Sequence, residues 1–459
     1  MGGAYRTELD SMGKIGVPVD ALYGAQTQRA VENFTISKEP LPWIFIESLL
    51  YIKMGAAVAN KAIGLISPKN GDLICQAVTG LLRDQPIAQF PVPILQTGSG
   101  TSTNMNVNEV ITGAVRNAQV ELSPNDHVNL GQSSNDVIPT AIHLSGCRLI
   151  TGEILPSLAN LAQQIRQLGK KHRHTVKTGR THLMDALPIR LEDEVEAWAL
   201  QLDECQERFK DLLKRLSEVP LGGTAVGSGV NCHPQFTEIA LKEINARTGQ
   251  NLRRASSSFK GQSSGDTFVE FSGHLKTCAV VLSKIANDLR LMNSGPLSGL
   301  AEIQLPALQP GSSIMPAKIN PVIPEAVLMA AAQVIGNDTA VSVAGLGGNF
   351  QLNTMLPLIA AKLVESATLI ATSAAVLGTK AIADIKVNSE VFDHALKYNP
   401  FLVTSLTPII GYLKAAEIAK IAREEKRPVF DVALEQTDLD YDRLAELLDP
   451  ARLAGDEAP

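Results

Sequence analysis

Two segments limit what this chain can fold into more than any other feature. Residues 326–346 (AVLMAAAQVIGNDTAVSVAGL) and 355–384 are apolar nearly all round at helical spacing and rich in alanine, glycine and serine. A helix that is apolar on every face must be covered on every face. A single bundle offers few such positions, whereas a bundle at the centre of an oligomer offers many. The sequence therefore predicts a helical core shared between subunits, with a purely intramolecular core as the alternative.

The other helical signals fit that frame. Cys147, Ile150, Ile154, Leu158, Leu161, Ile165 and Leu168 recur every three or four residues, which predicts a long helix with one apolar stripe across 141–170. Phe268, Phe271, Leu275, Cys278, Leu282, Ile285, Leu289 and Met292 alternate the same steps throughout. They span a helix of about 25 residues, roughly 37 Å long. A repeat averaging about 3.5 residues favours near-parallel helix packing. Segment 190–218 reads as a more charged, partly exposed helix, and 389–459 as a small helical cap. Strand signals are sparse, so a mostly α chain is expected.

At 459 residues the chain is long enough for two or three domains and a large core. A formal charge of −6 gives no basic footprint for nucleic acid, so an anionic ligand needs a locally positive site. The scattered Cys75, Cys147, Cys205, Cys232 and Cys278 form no CxxC and predict reduced thiols in a cytosolic chain. No apolar run of about 18 residues is expected to span a membrane, and MGGAYRTELDSMG lacks a signal-peptide core. The expected location is cytoplasmic, with neither membrane nor nucleic acid as partner.

Chemistry is concentrated in four polar loops: QTGSGTSTNMNVNEV (96–110), GQSSNDVIPTA (131–141), KTGRTHLMDALP (177–188) and GSSIMPAKINPVIPE (311–325). Glycines beside Ser, Thr and Asn let backbone N–H groups and short side chains converge on oxygen atoms. Each loop is expected to lead into a helix, whose N-terminus adds orphan donors and partial positive charge. Taken singly, GSGTSTN and SSND also fit ordinary helix N-caps. No G-x-G-x-x-G follows a strand, Ala317 and Ile319 spoil a phosphate loop, and no G-x-S-x-G elbow occurs. The eight histidines show no metal-binding spacing, so no metal is expected. The donors Ser99, Thr101, Asn104, Ser133, Ser134, Asn135, Thr181, Lys318 and Asn320 are mostly neutral. They suit a small substrate with two carboxylates, and each such donor in a dry site stabilises developing charge by about 3–4 kcal/mol.

GSSIMPAKINP resembles the signature GSSxMPxKxNP of the fumarase/aspartase superfamily, and the chain is similar to its class II fumarate hydratases nearly end to end. RTELDSMG, GAQTQRAVENF, GRTHLMDA, LGGTAVGSGVNCHP, SGPLSGLAEIQLP and GYLKAAEIAK carry the likeness along the chain. The resemblance implies an N-terminal lyase domain (1–135), a central long-helix bundle (136–388) and a small C-terminal helical domain (389–459). It also implies a homotetramer with a twenty-helix core, active sites drawn from three subunits, and no cofactor. In roles carried over by the resemblance, Ser312 is the base that removes the C3 proton of malate, giving an aci-carboxylate. Backbone amides around 311–313 and the Lys318 charge are expected to ease formation of its alkoxide. Lys318 and Asn320 bind one substrate carboxylate. Ser99, Thr101, Ser133, Ser134, Asn135 and Thr181 complete the pocket. His182 contacts the active-site water and pairs with Glu325.

His182 stands where family aspartases usually carry glutamine, which favours hydration of fumarate to L-malate over loss of ammonia. The alternatives are an aspartate ammonia-lyase, a hydratase of a substituted fumarate such as mesaconate, and a non-catalytic protein that reuses the fold. The intact Ser312, Lys318, Asn320, His182 and Glu325 argue against the last. Two departures stand out. The run Ser123-Pro124-Asn125-Asp126 replaces the histidine of the family's accessory dicarboxylate site, which weakens the case for a ligand at Ser123, Asn125 and Asp126. LEDEVEAW (191–198) also differs from the usual LGQE-type run, so helix contacts there are expected to differ.

Overall fold

The computed structural model describes residues 4–116 and 122–455, and these are mostly helical. The apolar stripes behave as their spacing predicts. All eight residues of the second stripe are buried along the helix Asp266–Met292, 27 residues long. Leu191–Leu216 forms the more charged helix. The first stripe is buried throughout, but its carrier is not one regular helix. Ser134–Leu149 and Leu155–Lys171 are joined by a π-turn, Ile150–Ile154, that keeps the apolar line continuous. The helix also begins earlier than the stripe. Ser133 and Asp136 close a capping box at 133–136, whose polar residues carry no apolar signal.

The chain divides into two compact units. One comprises Met1–Pro156, Gln206–Ala279 and Ala331–Ala371. In it the helix Trp43–Ala62 packs on Phe236–Thr248, Pro68–Asp84 and Ser134–Leu149. Gly55 lets two of these helices touch: a Cβ there would lie 2.8 Å from the Ala240 carbonyl oxygen and from Ile244 Cγ1. Phe45, Leu49, Ile52, Phe209, Phe236 and Phe271 fill the centre. The other unit comprises Ser157–Cys205, Val280–Ala330 and Thr372–Pro459. It holds a small C-terminal core built on Leu406, Ile418, Val432, Ala433 and Leu444.

One expectation needs correction. The third polar loop does not lead directly into a helix. It is an antiparallel hairpin, Val176–Thr181 with Met184–Arg190, followed by the helix at Leu191. Lys177, Thr178 and Gly179 are buried in succession and Leu187 is exposed, so the strands carry no apolar alternation to read. Two helices nevertheless match a membrane span by length and composition alone, a test that buried core helices also pass. Val322–Gly345 and Leu356–Ile382 are long and apolar enough to cross a membrane, with 33% and 61% of their most apolar windows buried in the chain. Asn337, Asp338 and Ser366, polar residues of these helices, pair with neighbouring helices. Asn337 Nδ2 donates to Ser366 Oγ (3.1 Å), and Asp338 accepts from Ser272 Oγ (2.8 Å) and Lys276 Nζ (2.5 Å). Met329, Ile335, Val343 and Leu346 remain exposed along the first of these helices.

His143 makes the first unit acid-sensitive. It is buried in Ser134–Leu149, its Nδ1 lies 2.8 Å from the Leu216 carbonyl oxygen, and its ring packs 4.7 Å from that of Phe268. Burial pushes its pKa down to about 4, against 6.5 for the free group. A group depressed in this way contributes stability that is present above the unfolded value and lost as pH falls through the folded one. Acidification from about pH 6.5 to about pH 5 should therefore cost roughly 2 kcal/mol at this site. Urea midpoints measured across that range should fall less in a His143→Asn variant than in the parent.

Candidate active site

Within the first unit, two helix N-termini bring the neutral donors together. Gly100, at φ 73°, turns the chain into the helix Thr101–Ala114 and presents Ser99 and Thr101 with hydroxyls 2.8 Å apart. Gln96 braces this turn: its Oε1 accepts from the Thr103 N–H (3.0 Å), and its Nε2 donates to the Pro93 carbonyl (2.8 Å). At the second N-terminus, Ser133 Oγ accepts from the Asn135 N–H at 3.3 Å. The two ends are tied by Asn104, buried, whose Nδ2 donates to Ser134 Oγ at 3.1 Å. Asn135 Nδ2 donates to the Ala225 carbonyl at 2.8 Å. Below them the Asp136 carboxylate accepts the N–H groups of Ser133, Gly222 and Thr224, each at 2.9 Å.

Sequence reasoning missed Lys53, which sits behind these donors. It is fully buried, and its Nζ donates to Asn129 Oδ1 and Gln132 Oε1, both at 3.0 Å. Asn129 Oδ1 also accepts from Asn104 Nδ2 (3.1 Å) and Asn108 Nδ2 (3.2 Å). Among the described residues no carboxylate pairs with Lys53 directly. Burial pushes its pKa down to about 7, an effect the charge of Asp136 opposes. Burial likewise pushes Asp136 up to about 6 despite its three amide bonds. One sequence signal pointed here: a lone lysine inside the apolar helical run SLLYIKMGAAVAN.

The second unit supplies groups of another kind. Thr181 and His182 stand exposed at the hairpin tip, where His182 (φ 56°) and Leu183 (φ 60°) both adopt the left-handed backbone of a type I′ turn. In the 311–321 loop, Ser312 Oγ accepts the N–H groups of Ile314 (3.3 Å) and Met315 (3.0 Å). The amides that serve it thus lie just beyond the 311–313 stretch where they were expected. The loop is closed by the Gly311 N–H on the Lys318 carbonyl (2.8 Å) and by Asn320 Nδ2 on the Gly311 carbonyl (2.6 Å). Gly311 must be glycine, since a Cβ would lie 2.4 Å from that Lys318 oxygen. Lys318, Asn320 and Glu325 line a cavity of about 790 Å³ together with Arg290, Gln304 and Asn388. Lys318 is exposed and enters no ion pair among the described residues. Glu325 lies in the first turn of Val322–Gly345, and no hydrogen bond or ion pair among the described residues joins it to His182.

At the accessory position, Ser123 caps the short π-turn Pro124–Val128. Its Oγ donates to Asp126 Oδ2 (2.8 Å) and accepts the Asp126 N–H (3.0 Å), so hydroxyl and carboxylate satisfy each other. Asn125 borders a separate cavity of about 510 Å³ with Arg116.

A long-helix scaffold bearing small polar loops and the GSSIMPAKINP segment defines a lyase of the fumarase/aspartase fold. The lyase family model matches residues 13–336, and the model for the fumarase C C-terminus matches 402–455. The class II fumarate hydratase of Xylella fastidiosa is 53% identical over 98% of this chain and 95% of its own length. A second class II enzyme, from Pseudomonas aeruginosa, is also 53% identical, covering 98% of both chains. The crystal structure of class II fumarase from Schistosoma mansoni superposes with a TM-score of 0.95 at 35% identity, covering 98% of this chain and 99% of that one. The chain belongs to the class II fumarate hydratase family, enzymes of the carbon–oxygen lyase class.

Glycine placement tests the geometry of the first donor loop. A Cβ on Gly98 would lie 1.7 Å from the Thr354 carbonyl oxygen, whereas one on Gly80, inside Pro68–Asp84, would meet nothing within 4 Å. Gly98→Ala should destabilise the protein by about 1–3 kcal/mol and displace Ser99 and Thr101. Gly80→Ala should stabilise it by roughly 0.5–1 kcal/mol. Denaturation midpoints of the two variants should move in opposite directions.

Proposed function

We propose that the chain catalyses reversible hydration of fumarate to L-malate by anti addition and elimination, with Ser312 as the base and an aci-carboxylate intermediate. The observation that carries this reading is the pair of backbone N–H groups directed at Ser312 Oγ. A serine alkoxide is high in energy, and two preorganised donors offset part of that cost. In the elimination direction the oxygen takes the C3 proton, and the electron pair moves into the adjacent carboxylate. Collapse of that intermediate forms the C2–C3 double bond and expels the C2 hydroxyl, which leaves as water after protonation.

Lys318 and Asn320 hold the carboxylate that accumulates charge. Ser99, Thr101, Ser133, Ser134, Asn135 and Thr181 supply neutral donors to the rest of the diacid. His182 and Glu325 handle the water, the proton transfers of which need a positioned acid and base. The active unit is a cytoplasmic homotetramer in which three subunits contribute to each site. Three features support this assembly: the exposed apolar side chains of Val322–Gly345, the exposed Leu183 and Met184 beside His182, and the lack, among the described residues, of a His182–Glu325 bond within one chain. The N-terminal (1–135), bundle (136–388) and C-terminal (389–459) segments are proposed as its three domains.

Absorbance near 240 nm with fumarate, malate, aspartate and methylmalate in turn tests the substrate, and turnover of aspartate alone would refute the reading. Ser312→Ala should lower kcat by about 10²–10⁴ with the oligomer intact; near-parental turnover would exclude Ser312 as the base. Sharing of the sites has its own test. Ser312→Ala and Asn135→Ala chains, each of low activity alone, should regain about a quarter of parental activity when refolded together as mixed oligomers.

A further inference from the structure

One buried carboxylate outside the proposed machinery joins two of its parts. Glu302 is almost wholly inaccessible, and its Oε2 accepts from Lys177 Nζ at 3.0 Å and from Arg180 Nη1 at 3.3 Å. Arg180 Nη2 also donates to Glu302 Oε1, so the guanidinium spans both oxygens. Lys177 is fully buried too; it donates to Glu194 Oε2 at 2.7 Å and lies 5.6 Å from the centroid of the Phe392 ring. Both cations belong to the strand Val176–Thr181, whose end carries Thr181 and, one residue on, His182.

On its other side Glu302 is flanked by residues of a cavity wall. The next residues, Ile303–Gln304, pair with Lys386–Val387. The Glu302 carbonyl accepts the Asn388 N–H at 3.0 Å, and Asn388 Nδ2 donates to the Ala301 carbonyl at 2.5 Å. Ala301, Ile303, Gln304 and Asn388 line the same cavity as Lys318, Asn320 and Glu325.

The hairpin needs such an anchor. Its turn places two non-glycine residues, His182 and Leu183, at positive φ, and their side chains are exposed. Each such residue costs on the order of 1 kcal/mol and persists only where the surroundings impose it. The tip cannot impose its own geometry, so that geometry must come from the base. Buried, multiply bonded ions supply stiffness there, because removing one partner leaves another charge uncompensated.

We infer that Glu302 is a positioning residue for the hydration reaction: it locks the hairpin carrying Thr181 and His182 to the wall of the Lys318 cavity. It touches no substrate and acts through Lys177 and Arg180. The inference rests on the proposed role of His182. Because a displacement of about 1 Å can cost on the order of 10²-fold in rate, loss of this lock should appear in turnover before it appears in folding.

The test is Glu302→Gln, nearly isosteric and neutral. Expected is a fall in kcat of about 10- to 100-fold, a fumarate KM within about threefold of the parent, and an unchanged oligomer. Glu302→Asp, which keeps the charge, should restore most of the lost kcat. Arg180→Gln leaves the Glu302–Lys177 pair in place and should lower kcat in the same direction by a smaller factor; it decides the matter if Glu302→Gln does not fold. Two outcomes overturn the inference. One is kcat within twofold of the parent in the folded variants. The other is a loss that tracks only the fraction of folded enzyme, with turnover per folded oligomer unchanged. His182→Asn with full turnover would instead refute the underlying reading, whereas an inactive His182→Asn beside a normal Glu302→Gln refutes the positioning role alone.

Discussion

Uncovered apolar surface on the helix Val322–Gly345 is the constraint on which the rest depends. Its side chains are apolar nearly all round, and one chain covers only a third of its most apolar stretch. Burial of such surface yields roughly 25 cal/mol per Å², so covering Met329, Ile335, Val343 and Leu346 favours association strongly. The polar residues among them do not oppose it, because Asn337 and Asp338 are already bonded to Ser366, Ser272 and Lys276. In the proposed tetramer this helix does two jobs. It glues copies together, and its first turn, with Glu325, is delivered to a site that other copies complete.

The electrostatics of the site follow from how little charge is placed in it. A dianion could be met by several cations, but clustered cations repel one another when the site is empty. In the proposed site neutral hydroxyls and amides meet the diacid, with Lys318 exposed on one loop and Lys53 sealed behind another. Lys53 is held by amide oxygens and has no direct carboxylate partner among the described residues, so its charge is not cancelled at contact. Asp136 meanwhile spends its carboxylate on the amides of Ser133, Gly222 and Thr224 and so shapes the second donor turn.

Much of the fold was legible in the sequence because helical burial leaves a periodic trace. The stripe from Phe268 to Met292 is buried residue for residue. What escaped lacks such a trace. A π-turn at Ile150–Ile154 conserves the apolar line and is invisible in it. The hairpin of 176–190 buries Lys177, Thr178 and Gly179 in succession, so no alternation marks it. In the candidate site, the donor types and the signature loop were readable as composition. The amides that face Ser312 were expected slightly early, because the loop's return through Ala317 at φ 64° is a backbone property. Lys53 escaped because a single lysine in an apolar helix reads as an interruption rather than a component. The Glu302 network joins residues far apart in the chain, and no spacing announces it.

The sealed position of Lys53 has a consequence for where this chain could work. Dissolved ions screen charges that face water over about 8 Å at physiological strength, and they act far less on charges enclosed in protein. In concentrated brine the pull that its proposed role gives Lys318 on a diacid would fade, while that of the protonated fraction of Lys53, whose pKa burial pushes down to about 7, would persist. Part of the attraction is thus insulated from the osmotic state of the surroundings, a form of resilience that a ring of exposed cations would lack.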